Sequence, residues 1–187
     1  MALSDEDTLL VQLRSQSPRE RSHAALELGR VRSERALPVL VELLDARDDS
    51  CEEVAWALGE IGGAGAAQAL IAALGDEDHV VRESAADALG GMGWAPARTN
   101  LEALAAQDPM APTRRRALVA LAEIGDTRSC PVFATALSDA EPAVRWQAAR
   151  ALALTGCNGA RATIEAAVER EPDRIAREQM TLALDPL

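Results

Sequence analysis

The sequence predicts an all-α solenoid of about six stacked helical hairpins, twelve helices in a single domain over residues 1–187, and three observations predict it. First, a phrase recurs at fixed period: Gly62, Gly93, Gly125 and Gly156 lie 31, 32 and 31 residues apart and close AWALGEIG, ADALGGMG, LVALAEIG and ARALALTG. Second, the Leu of that phrase (Leu28, Leu58, Leu89, Leu121, Leu152, then Leu184) has an Arg seven residues before it in five copies: Arg21, Arg82, Arg114, Arg145 and Arg177. Cys51 takes that place in the second copy. Third, apolar residues fall at +3, +4, +7 and +10 from the Arg position, which is the spacing of an amphipathic helix. A single hairpin cannot bury its apolar face alone, so a chain of like hairpins must stack.

The hairpins follow in order. The first, 1–32, opens with DEDTLLVQLRS behind Ser4, whose partner Asp7 makes a capping box with Asp in place of Glu. Its second helix starts at Pro18, where a missing N–H costs nothing, and carries the small pair Ala24-Ala25. The second, 33–63, joins RALPVLVELLD to CEEVAWALGEI and stops at Gly62, a residue suited to a left-handed C-cap. The third, 64–94, joins AAQALIAALGD to VRESAADALGGMG, again with a small pair, Ala85-Ala86. Small residues favour helix and let neighbouring helices approach closely. The fourth, 95–126, runs from ARTNLEALAAQD through Pro112 to Gly125; the fifth, 127–157, from CPVFATALSDA through Pro142 and Ala148-Ala149 to Gly156. The sixth, 158–187, contains ARATIEAAVER, Pro172 and the last Arg helix. GEIGGAG (59–65) is glycine-rich, but no strand precedes it, so it reads as a helix end and turn rather than a phosphate loop.

Composition narrows the function. Thirty acids face 19 bases, all of them Arg, for a net charge of −11. Nucleic acid is thereby excluded as a partner, since phosphate binding needs a basic surface. Exclusive use of Arg beside abundant Ala and Gly is expected of a GC-rich bacterial genome. No 18-residue apolar run occurs, and the first residues lack the basic and apolar regions of a signal peptide, so a cytoplasmic protein without membrane contact is expected. Cys51, Cys130 and Cys157 form an odd set without a CxxC pair, the usage of idle thiols in a reducing compartment.

The unit VR-x-x-AA-x-AL-G-x-IG, best seen in VRESAADALGGMG (81–93) and VRWQAARALALTG (144–156), resembles the HEAT-like repeats of the phycobilisome-lyase type over essentially the whole chain. The resemblance implies a right-handed superhelix. It also implies that the repeated Arg pairs with Asp at the hairpin turns, for which Asp45, Asp76, Asp108, Asp139 and Asp173 are the candidates, with one rung missing at Cys51. Finally, it implies that the Arg-bearing helices line a concave surface.

Positions +1, +2, +5 and +9 from the Arg point away from the packed seam. They supply Ser22, His23, Leu26 and Arg30 in the first copy, Glu52, Glu53, Trp56 and Glu60 in the second, and Glu83, Ser84, Asp87 and Gly91 in the third. Arg115, Arg116, Val119 and Glu123 follow in the fourth, Trp146, Gln147, Arg150 and Leu154 in the fifth, and Glu178, Gln179 and Leu182 in the last. From this face we select Glu52, Glu53, Trp56, Glu60, Glu83, Asp87, Arg115, Arg116, Val119, Trp146, Gln147, Arg150 and Leu154 as candidate partner contacts. Two of the three tryptophans fall on it, and Trp and Arg are the types most enriched at binding hot spots. Trp94 reads instead as a loop anchor. Charge is segregated: residues 1–110 hold 20 acids and 9 Arg, residues 111–187 hold 10 of each. A groove acidic in its middle and basic further on would orient a ligand of opposite polarity.

Chemistry has no candidate. His23 and His79 stand far apart without ligand-spaced partners, so no metal site is expected. HEAT-like iron enzymes carry repeated His-Glu pairs, and no such dipeptide occurs here. No P-loop, dinucleotide fingerprint or GxSxG elbow is present, and neighbouring Glu52 and Glu53 lie about 100° apart on a helix, unsuited to paired acid–base work. The expected function is a non-enzymatic scaffold or adaptor, without cofactor, binding a protein or peptide on its concave face. The alternative that the resemblance implies is a phycobilin-lyase-like subunit positioning a linear tetrapyrrole on a phycobiliprotein. The last helix, with Met180, Leu182, Leu184 and Leu187, is a candidate surface for a weak homodimer.

Overall fold

The computed structural model describes residues 4–46 and 50–185. Among these residues the regular structure is twelve α-helices and three short 3-10 turns, with no strand. They alternate as expected: α1 (Asp5–Gln12), α2 (Pro18–Arg30), α3 (Leu37–Ala46), α4 (Cys51–Ile61), α5 (Gly63–Ala73) and α6 (His79–Gly91). Then come α7 (Arg98–Gln107), α8 (Ala111–Ile124), α9 (Cys130–Ala136), α10 (Pro142–Leu154), α11 (Ala160–Arg170) and α12 (Arg174–Leu182). Each even-numbered helix is an Arg or Cys51 helix, and each packs against the odd-numbered helix before it.

The ends follow local chemistry. The Ser4 hydroxyl accepts from the Asp7 amide at 3.1 Å and donates to its carboxylate at 2.7 Å, closing the start of α1. Pro18, Pro112 and Pro142 lie in the first turns of α2, α8 and α10. Gly62 (φ 75°) ends α4 and at once begins α5. GEIGGAG is therefore a turn compressed to a single residue, which only a glycine takes without steric cost.

The chain divides into two compact units, residues 1–92 and 93–187, each holding three hairpins. In the first, α4 lies between α2 and α6, and Leu28, Leu40, Val54, Leu58, Leu70 and Leu89 are fully buried. In the second, α10 lies between α8 and α12 around Leu118, Leu121, Phe133, Val144 and Ile164. Small residues set the spacing of α2 and α4: a Cβ on Gly29 would stand 2.9 Å from the Ala57 Cα.

The repeated Arg has one task in every copy that has it. Its guanidinium donates to the carbonyl six residues earlier: Arg21 to Ser15 (2.7 Å), Arg82 to Asp76 (2.8 Å), Arg114 to Asp108 (2.9 Å), Arg145 to Asp139 (2.8 Å) and Arg177 to Glu171 (2.9 Å). The side chain of that earlier residue accepts from the amide two residues on, as in Asp76 to Asp78, Asp108 to Met110 and Asp139 to Glu141. In the copies that carry the Arg, the hairpin turn is thus closed by its own polar residue and clasped by the following Arg. Arg114 and Arg145 also reach forward to the next turn. Arg114 grips Asp139 through Nε (2.8 Å) and Nη2 (2.7 Å), and Arg145 grips Glu171 at 2.6 and 2.5 Å.

Three expectations are corrected here. The acid facing Arg145 is Glu171, not Asp173; Asp173 caps α12 by accepting from the Ala176 amide at 2.8 Å. Position relative to the Arg, six residues before it, marks the rung acid better than residue type does. Second, Cys130 and Cys157 are not idle thiols: a disulfide joins them, with Cα atoms 5.8 Å apart. The antiparallel hairpin brings the start of α9 beside the residue just past α10, a closeness that the 27-residue spacing hides. Cys51 is buried. Third, Met180 is fully buried; the apolar groups that α12 exposes are Ile175 (62%) and Leu182 (53%). Leu184 is partly exposed, and Leu187 lies outside the described residues. No helix among the described residues is long and apolar enough to cross a membrane.

Candidate functional site

Helices α2, α4 and α6 press one face on α1, α3 and α5 and keep the other open. On that open face lies a cavity of about 520 Å³ lined by Leu26 from α2, Glu52, Glu53, Trp56 and Glu60 from α4, and Ser84 and Asp87 from α6. These stand at +1, +2, +5 and +9 from the Arg or Cys51 position, so helical periodicity alone collects them on one side. Gly59, Ala88, Gly91 and Met92 complete the lining. Of the acids selected from the sequence in this unit, Glu83 is half-buried and is not part of the lining.

Trp56 is the centre of this site, and its setting explains how an indole stays 38% exposed without collapsing onto the helix. Its Cζ3 lies 2.9 Å from where a Cβ on Gly29 would be, so the ring uses the missing side chain of α2 as a shelf. One part of the ring is thereby immobilised while the rest stays accessible. The shelf was not evident in the sequence, although a small residue at +8 (Gly29, Gly59, Gly90) is a readable sign of close helix approach.

The electrostatics are of one sign. Glu52, Glu53, Glu60 and Asp87 line the cavity, and among the described residues neither Arg nor His does. Glu60 meets Arg32 at 3.8 Å in an exposed pair, which salt screens readily. Residues 1–92 hold 18 acids against 8 Arg, net −10, whereas 93–187 hold 12 against 11, net −1. Among the described residues no three His, Cys, Asp or Glu side chains converge closely enough to hold a metal ion.

The second unit carries the remaining candidates. On α8, Arg115, Arg116 and Val119 are half-buried. On α10, Trp146 is half-buried, Arg150 is exposed, and Leu154 is 63% exposed. Gln147 departs from expectation: at 3% exposure it lies inside, as does Ser84 at the same +2 position of the third copy. Trp94 is partly exposed and caps the short turn 95–97. The face thus offers guanidinium groups beside apolar side chains, a composition common at protein contacts.

Comparison with known proteins agrees with this architecture. The family model for HEAT repeats matches residues 6–90, 51–120 and 97–185. A chain in the complex of CpcE and CpcF of phycocyanin lyase from Nostoc sp. is similar in structure, with TM-score 0.68 and 25% identity over all of this chain and 77% of that one. The Escherichia coli protein YibA gives TM-score 0.73 at 21% identity, covering 97% of this chain and 70% of its own. A designed armadillo repeat protein in complex with the peptide (KR)4 gives 0.67 at 20%, covering 98% and 99%. No curated protein matches the sequence at a significant level. With repeat matches running from residue 6 to residue 185 and a helix order that repeats the same clasped hairpin, this chain belongs to the HEAT-repeat family.

Proposed function

We propose that this protein is a non-enzymatic scaffold that holds a protein or peptide partner on the open faces of its even-numbered helices. The observation that carries the reading is the Trp56 cavity: an accessible indole, fixed in place by its neighbours, at the centre of a concave site. Such rigid, partly desolvated aromatics supply most of the energy in protein recognition. The face bearing Trp146, Arg150 and Leu154 is a second contact area of the same kind. The test is the double variant Trp56→Ala, Trp146→Ala, checked by circular dichroism for an intact helical fold and used as bait against native lysate. We expect capture of the partner to be lost. Capture at the wild-type level by the folded variant overturns the reading.

A second reading is favoured by the likeness to the phycocyanin lyase complex over the full length of this chain. Here the chain is a lyase-like subunit that positions a linear tetrapyrrole on a phycobiliprotein. Adding a bilin and recording the visible spectrum separates the two readings: a shifted, intensified band supports the lyase reading, and an unchanged spectrum removes it.

A further inference from the structure

We infer that the Trp56 cavity seats arginine side chains from a basic segment of the partner, an assignment that rests on the scaffold reading above. Four carboxylates line the cavity and, among the described residues, no cationic side chain does, so an anionic occupant is repelled and a cationic one drawn in by the field of the whole unit. The cation is not a metal ion, because the acids are spread around the opening and no three of them converge on a point among the described residues. The occupant is therefore an organic cation.

The remaining lining specifies that group further. Leu26, Ala88 and Met92 offer apolar surface for an aliphatic stem. Trp56, held against Gly29, presents the best aromatic partner for a cation. Guanidinium is planar, stacks on an indole and is weakly hydrated, and its fork bonds two carboxylate oxygens at once. An ammonium is a strongly hydrated point charge that stacks poorly. The cavity of about 520 Å³ also falls within the size range of ligand pockets.

The probe is a short peptide of alternating Arg and Ala, titrated calorimetrically into the full chain beside its citrulline counterpart, which keeps shape and loses charge, and its Lys counterpart. We expect the Arg peptide to bind, the citrulline peptide to bind at least about tenfold more weakly, and the Lys peptide to fall between. Trp56→Ala changes no charge and should weaken the Arg peptide about tenfold, whereas Trp56→Phe should retain most of the affinity. The pair Glu52→Gln, Glu53→Gln should weaken binding more than Glu34→Gln, Glu42→Gln, which removes equal charge from the same unit outside the cavity. Equal loss in the two charge pairs, or no effect of Trp56→Ala, overturns the assignment in favour of diffuse attraction to an acidic surface. If the Arg peptide does not bind while lysate capture still depends on Trp56 and Trp146, the arginine assignment falls and the scaffold reading stands.

Discussion

At Gly29 the absence of one methyl group shapes the site. A Cβ there meets the Ala57 Cα and the Trp56 ring, each at 2.9 Å, and backbone cannot move aside as a flexible side chain can. Gly29→Ala gains about 1 kcal/mol in helix propensity but overpacks this contact, at a cost of about 1–3 kcal/mol. We expect net destabilisation in urea and a shifted Trp56 fluorescence. Gly91, the last residue of α6, has nothing within 4 Å of an added Cβ, so Gly91→Ala should raise stability by up to about 1 kcal/mol. The contrast between the two glycines tests the shelf directly. Trp56, Glu52, Glu60 and Asp87 were all legible in the sequence, because +1, +5 and +9 share one helical face whatever surrounds them. Gln147 was not, because whether +2 faces out or in depends on how far the helix is rotated against its neighbours, which periodicity does not specify.

Among the elements, the hairpin turn and its Arg clasp are the repeating mechanical unit. The Arg145–Glu171 pair is 12% and 2% exposed, so removing one partner strands a buried charge; Arg145→Met should cost about 3 kcal/mol in chemical denaturation. Hydrogen bonding from Arg145 holds the Glu171 carboxyl below its ordinary value. Burial pushes Asp139 upward, yet the bonds from Arg114 and the Glu141 amide together with the charges of Arg114 and Arg145 leave it lowered as well. Both groups are harder to protonate folded than unfolded. Their contribution is full above the ordinary values of 4.5 and 3.8 and is lost as pH falls through the depressed folded values. Stability measured from pH 6 downward should therefore fall in the wild type and fall less steeply in Arg145→Met. The disulfide staples one hairpin of the second unit: replacing Cys130 and Cys157 by Ser, or adding a reductant, should lower stability by about 3 kcal/mol for a 27-residue loop.

For the molecule as a whole, the charge contrast between the units bears on solubility and encounter. The net −10 of residues 1–92 keeps copies of that unit apart, whereas residues 93–187 are nearly neutral and expose Ile175 and Leu182 on α12. We expect any self-association to run through α12: sedimentation velocity should show a concentration-dependent heavier species that Ile175→Arg with Leu182→Arg abolishes. A single species at all concentrations in the wild type removes this interface.

What residue order alone determined is the helix count, the pairing into hairpins and the side of each helix that stays open, because all three depend on spacing within a few turns of chain. A 3.6-residue period, a Pro in the first turn and a Gly at the stop act locally and read the same in any context. Tertiary structure alone decided that Glu171 rather than Asp173 clasps Arg145, that Cys130 reaches Cys157, that Gln147 and Met180 turn inward, and that Trp56 rests on Gly29. Each of these depends on a distance between groups some 25 or more residues apart in the chain or on the rotation of a helix against its neighbour. Such distances follow from how closely small side chains let helices pack, which no local pattern records.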